Sequence, residues 1–128
     1  MSLSNEVQAS LSRAEASLQA AKLLRESDLL DDSASRSYYA AFHAASALLL
    51  SQNLTFRSHA GALRSIGLNF VKTGKLDKVF GQNLNWLAEV REVGDYGEIR
   101  RVDIETADQA IAKATAFLVQ VKQLLEES

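Results

Sequence analysis

The 128-residue chain has no cysteine, no proline, six glycines, two histidines and one tryptophan. Without cysteine there is no disulfide framework, no thiolate zinc site and no cysteine nucleophile. Without proline and with so little glycine, a turn-rich sandwich and a flexible linker protein are both disfavoured, while alanine, leucine, glutamate and lysine favour helix. Met1 to Gln8 has no basic region followed by an apolar block, so no secretion signal is expected. The longest strongly apolar stretch, about Tyr38 to Leu50, is broken by His43 and Ser46 and is too short and mixed to span a bilayer. It reads as a buried helix of a cytoplasmic protein with no membrane association.

What is present is a chain 47% hydrophobic and 23% charged, of a size that fits one domain over residues 1–128. From Asn5 to Glu26 apolar positions recur at Val7, Leu11, Ala14, Leu18, Ala21 and Leu24, the three- and four-residue steps of an amphipathic helix. Asp28 to Ser35 breaks that pattern, with Asp32 or Ser33 as the expected cap of a second helix running to about Gln52. That second helix is densely apolar and is the expected centre of the fold. Ser58 is positioned to cap a third helix containing Ala62, Leu63, Ile66 and Phe70, and Gly74 stops it. A fourth should run from about Asp77 to Glu92, with Gly94 and Gly97 ending the pattern and leaving Asp95 and Tyr96 in a loop. Asp103 is expected to cap a fifth, whose stripe is Ile104, Ala107, Ile111, Ala114, Leu118, Val121 and Leu125. The prediction is an all-α protein, a five-helix bundle of up-and-down type.

The net charge of −2 hides an uneven distribution: residues 1–35 carry −3, residues 36–101 carry +4 and residues 102–128 carry −3. The middle block permits a local basic face, for which Arg57, His59, Arg64, Lys72, Lys75 and Lys78 are the candidates, or these are simply solvated surface. Helical spacing lines up Arg36, Tyr39 and His43 on one side of the second helix, either as a polar site or with His43 bonded at a helix interface. Arg91, beside Glu92, Asp95 and Tyr96, can hold a phosphate or a carboxylate, or can serve its own helix terminus. Asp95 and Glu98 would act as acid-base groups only if their surroundings moved them toward neutrality. No histidine and carboxylate spacing indicates a metal site, and no cofactor is implied. The glycines form neither a phosphate loop nor a dinucleotide turn, and the Ser35-Arg36-Ser37 run lacks the elbow of a serine hydrolase.

Three segments carry a family likeness: Ser35-Arg36-Ser37-Tyr38-Tyr39-Ala40-Ala41-Phe42-His43-Ala44-Ala45, Phe70-Val71-Lys72-Thr73-Gly74-Lys75-Leu76 and Arg91-Glu92-Val93-Gly94-Asp95-Tyr96-Gly97. Together they resemble the small stand-alone branch of the HEPN family, over about Asn5 to Leu125. The resemblance implies an all-helical domain, often a homodimer, often encoded beside a minimal nucleotidyltransferase in prokaryotic toxin-antitoxin or defence systems. It also implies kinship with metal-independent ribonucleases, whose signature is an arginine followed four to six residues later by a histidine near the dimer seam. Arg91 stands at the arginine position, but Glu92-Val93-Gly94-Asp95-Tyr96-Gly97-Glu98 contains no histidine. An imidazole moves protons near neutrality, whereas an unperturbed tyrosine titrates near about 10 and an aspartate near about 4. The expected function is therefore a catalytically weakened or non-enzymatic dimer that binds a nucleotidyltransferase partner or a nucleotide-like ligand through Arg91, Asp95 and Tyr96, with Arg36, Tyr39 and His43 as the adjoining wall. The alternatives are a divergent metal-independent ribonuclease toxin acting on RNA, with Arg91 and a recruited histidine such as His43, and a structural helix-bundle adaptor.

Overall fold

A computed structural model describes residues 3–96 and 101–127. They form α1 (Asn5–Glu26), α2 (Leu30–Ser51), α3 (His59–Ile66) with a π-helical turn (Gly67–Val71) after it, α4 (Lys78–Tyr96) and α5 (Ile104–Glu127), with no strand among the described residues. The expected all-α five-helix bundle is what forms.

Helix α1 begins where expected because Ser4 accepts a hydrogen bond from the amide of Val7, taking up one of the amides that a helix start leaves unpaired. It ends in a tight turn that periodicity alone does not reveal. Asp28 adopts the left-handed conformation at φ 61°, its amide bonds to the carbonyl of Arg25, and the Leu29 amide reaches back to Leu24. The chain is thereby turned within three residues, so α2 starts at Leu30 with no side-chain cap. Ser33 is consequently not the cap the sequence led us to expect. It lies buried in the first turns of α2, and its hydroxyl donates to the carbonyl of Ala21 in α1 at 2.7 Å. Asn53, at φ 58°, closes the other end of α2 in the same way, with the Leu54 amide bonding to Leu49.

Helix α2 touches all four other helices. Its alanines, Ala40, Ala41, Ala44, Ala45 and Ala47, are fully buried and let neighbouring backbones approach, while Tyr38, Leu48 and Leu49 fill the space between. Phe117 and Val121 of α5, Leu84 and Leu87 of α4, and Ile66 and Phe70 complete the main core. A smaller cluster of Ala34, Val90, Val102 and Ala107 joins the beginning of α2 to α4 and α5.

Two expectations about helix ends are corrected. The third helix does not continue regularly to Phe70, because the ladder widens at Gly67, whose carbonyl accepts from the Lys72 amide at 2.8 Å, five residues on. Gly74 at φ 81° then ends the run as anticipated. The fourth helix does not stop at Glu92. It runs through Gly94 to Tyr96, so Asp95 and Tyr96 stand on its last turn and not in a loop. Gly94 is needed for proximity, since a Cβ there would lie 2.9 Å from the carbonyl oxygen of Asp31. Ser58 and Asp103 cap α3 and α5 as expected, the latter accepting from the Thr106 amide at 2.7 Å.

Candidate functional site

The close approach at Gly94 sets the last two turns of α4 against the first two turns of α2, and the charged and aromatic residues of both meet there. Asp31 fastens the junction further: its carboxylate accepts from the Val102 amide at 2.9 Å and lies 3.7 Å from Arg101. Arg91 projects from α4 over the α2 tyrosines. Its guanidinium carbon is 5.4 Å from the ring centre of Tyr38, 5.5 Å from that of Tyr39 and 5.9 Å from that of Tyr96. One turn on, Asp95 accepts from Nε of Arg91 at 3.1 Å, and its other oxygen accepts from the Ser35 hydroxyl of α2. Both Asp95 oxygens are engaged, and the Nε bond leaves the Nη1 and Nη2 edge of Arg91 outside that ion pair.

The electrostatics follow from this cage. Burial works against the charge on Arg91, but Tyr39, Asp95 and Tyr96 outweigh it and hold the guanidinium above arginine's ordinary value. Burial pushes the Tyr38 phenol up to about 12, with Arg91 pulling the other way and Tyr39 adding to the rise. The phenol therefore keeps its proton near neutrality, and its oxygen lies 2.8 Å from Nδ1 of His59. His59, the first residue of α3, stacks on Phe42 at 4.1 Å between ring centres and lies beside the rings of Tyr38 and Tyr39, with its remaining side exposed. Burial and the charge of Arg91 both lower its affinity for a proton, so a neutral ring accepting from Tyr38 is the favoured state near pH 7.

Beside the cage, Leu24, Asp32, Ser35, Arg36, Tyr39 and Asp95 line an open recess of about 650 Å³. Arg36 and Tyr39 thus share the wall of this recess with Asp95, Arg91 lies over the Tyr39 ring from α4, and the exposed Tyr96 ring lies beside Arg91, while His43 is not part of the wall. His43 sits one turn further along α2, half-buried, and its proton affinity is lowered by burial and by the charges of Arg13 and His59. The imidazole bonded to a residue of the Arg91 cage is His59, through Tyr38. Neither Tyr38 nor His59 was legible as a pair, because nothing in the spacing of two residues 21 apart announces a contact.

The remaining basic candidates fall into separate neighbourhoods. Arg64 borders an apolar groove of about 480 Å³ with Ala60, Leu63, Gly67, Leu68 and Asn85. Lys75 lies over the ring of Phe70 at 5.8 Å, and Arg57, Lys72 and Lys78 are exposed. Glu98 lies outside the described residues. Among the described residues, no three His, Asp or Glu side chains are grouped as metal ligands, and no helix is long and apolar enough to cross a membrane.

The tyrosine-arginine cage, with Tyr38 buried and Tyr96 exposed, thus lies where the start of α2 meets the end of α4 in an all-helical bundle. The sequence profile of the HEPN domain matches residues 7–124, and the chain belongs to that family. It is 41% identical to a UPF0332 protein of Thermotoga maritima over 115 residues, which cover 90% of this chain and 87% of that protein. It is 38% identical to a Methanocaldococcus jannaschii protein named "Putative toxin MJ0605", covering 95% of this chain and 90% of the other. A UPF0332 protein of Gloeobacter violaceus is 36% identical, with 95% and 98% covered.

Proposed function

We propose that this protein is the HEPN component of a prokaryotic toxin-antitoxin or defence system, cytoplasmic and homodimeric, and that the Arg91 cage binds the phosphate of a nucleotide or an RNA strand. Recognition is the function assigned to this site, and a minimal nucleotidyltransferase is the protein partner proposed for it. The observation carrying this reading is the setting of Arg91: three tyrosine rings and one carboxylate fix the guanidinium, and only its Nε is spent on Asp95. A fixed guanidinium with an unspent edge is suited to a phosphate, because the fork matches two phosphate oxygens and loses little freedom on binding. The similarity to proteins named as toxins supports the biological setting.

Titration of the purified protein with nucleoside monophosphates and a single-stranded oligoribonucleotide, at near-physiological salt, tests this reading. The parent should bind, and Arg91→Ala should weaken binding at least tenfold, as expected for loss of a charge-assisted bidentate contact worth about 1.5–3 kcal/mol. Equal binding by the two proteins would overturn it.

A divergent ribonuclease is the second reading, favoured by one contact. The Tyr38 hydroxyl at 2.8 Å from His59 places an imidazole one residue behind the guanidinium. In that mechanism Arg91 stabilises charge developing on the phosphate, and His59 draws or returns a proton through the phenol. Cleavage of RNA in the presence of a chelator, lost in both Arg91→Ala and His59→Ala, would establish it. Cleavage that survives either substitution would dismiss it.

A further inference from the structure

The recess beside Arg91 contains a feature that a contact to Arg91 alone leaves unused. Asp32 and Arg36 are one turn apart on α2, a spacing at which opposite charges commonly pair on a helix surface. Here both line the recess, and among the described residues neither takes part in an ion pair or a side-chain hydrogen bond. The other carboxylate on the wall, Asp95, has both oxygens committed to Ser35 and Arg91. The wall therefore offers one uncommitted carboxylate, one uncommitted guanidinium and the ring of Tyr39. Its volume of about 650 Å³ falls in the range of about 300–1,000 Å³ usual for small-ligand clefts.

The geometry points to a guanosine 5′-phosphate moiety as the ligand of this recess, with Asp32 reading the base and Arg36 and Arg91 holding the phosphate. This rests on the phosphate-binding reading above. An ionised carboxylate can only accept, and it accepts best from two parallel donors. Among the common bases, guanine alone presents an N–H and an adjacent amino group side by side on its Watson-Crick edge. Adenine and cytosine set a ring-nitrogen acceptor beside their amino group, and uracil has a single N–H between two carbonyls. Against Asp32 those edges gain at most one bond or bring an acceptor against an acceptor. The Tyr39 ring supplies a face on which an unpaired base can stack.

The test titrates the full chain with GMP, IMP and AMP and repeats the series with Asp32→Ala and Asp32→Asn, since Asp32 is exposed and its replacement leaves the core untouched. The parent should prefer GMP to AMP by about tenfold, the lower range for one bidentate base contact, with IMP, which lacks the amino group, in between. Asp32→Ala should bring GMP down to the affinity of AMP and leave AMP unchanged. Asp32→Asn should come to prefer XMP, whose O2 accepts from the new amide, a gain that a merely structural role of Asp32 would not produce. A single-stranded oligoribonucleotide with one guanine, against its guanine-free counterpart, separates the two sources: tighter binding than GMP indicates a strand, and no advantage over GMP indicates a free nucleotide. Equal affinity for GMP and AMP, unaltered in Asp32→Ala, would overturn the guanine assignment while the phosphate reading stands. Absence of binding by every nucleotide and oligonucleotide would overturn both.

Discussion

Replacing Gly94 by alanine separates two effects that oppose each other. In the interior of an exposed helix the change ordinarily stabilises by about 1 kcal/mol, because alanine restricts the unfolded chain. At Gly94 the added methyl would meet the Asp31 carbonyl oxygen at 2.9 Å, a main-chain atom that cannot rotate aside. Relieving that contact means moving α4 off the first turn of α2, an overpacking cost of about 1–3 kcal/mol. The strain exceeds the propensity gain, so Gly94→Ala should be destabilised by about 1 kcal/mol net. Gly67 supplies the control, since nothing lies within 4 Å of its added Cβ and its φ of −60° suits any residue. Gly67→Ala should gain up to about 1 kcal/mol. With an unfolding entropy of about 2.1 cal/mol/K per residue, 1 kcal/mol moves the Tm of this 128-residue chain by about 4 °C. Differential scanning calorimetry should therefore show the two Tm shifts with opposite signs. Two stabilised variants would refute the close approach of α4 to α2, and with it the geometry that brings Arg91 over the tyrosines.

Tyr38→Phe removes the phenol that meets His59 and should cost about 0.5–1.5 kcal/mol in denaturant unfolding, an ordinary buried hydrogen bond; no change would mean that the pair is not formed. Ser35→Ala leaves one Asp95 oxygen without its partner and lets the carboxylate swing from Arg91, so nucleotide affinity should fall several-fold while α2 stays intact by circular dichroism. Both histidines hold protons less readily in the folded chain than in the unfolded one, so the unfolded state binds more protons as pH falls below about 6.5. Stability should decline from pH 7.5 to pH 5, and the slope should be shallower in His59→Ala; a parent whose Tm is flat over that interval would contradict the stated surroundings of His43 and His59.

The fold was legible wherever one residue decides a local outcome. Ser58, Gly74 and Asp103 each mark a helix end, because a side-chain oxygen or a positive φ acts within three residues of its position. Errors arose where a distant element competes for the same residue. Ser33 reads as a cap in sequence, but the carbonyl of Ala21 claims its hydroxyl. Gly94 reads as a stop, but its missing Cβ serves a neighbouring backbone and the helix continues past it. The site divides along the same line. Arg36 and Tyr39 share a face of α2 by spacing, whereas Arg91 and Asp95, four residues apart, pair along one helix only because α4 continues past Gly94. The contacts of Ser35 with Asp95 and of Tyr38 with His59 join different helices, and only the packing of α4 and α3 on α2 creates them.

The claim on which the functional account turns is that the fork of Arg91, and not positive charge alone, holds the phosphate. Substituting Arg91→Lys preserves the charge, removes the planar pair of donors and weakens the stacking on the tyrosines. Calorimetric titration of parent and variant with GMP at one fixed salt concentration should give an affinity at least about tenfold lower for the lysine protein. Equal affinities would contradict the account.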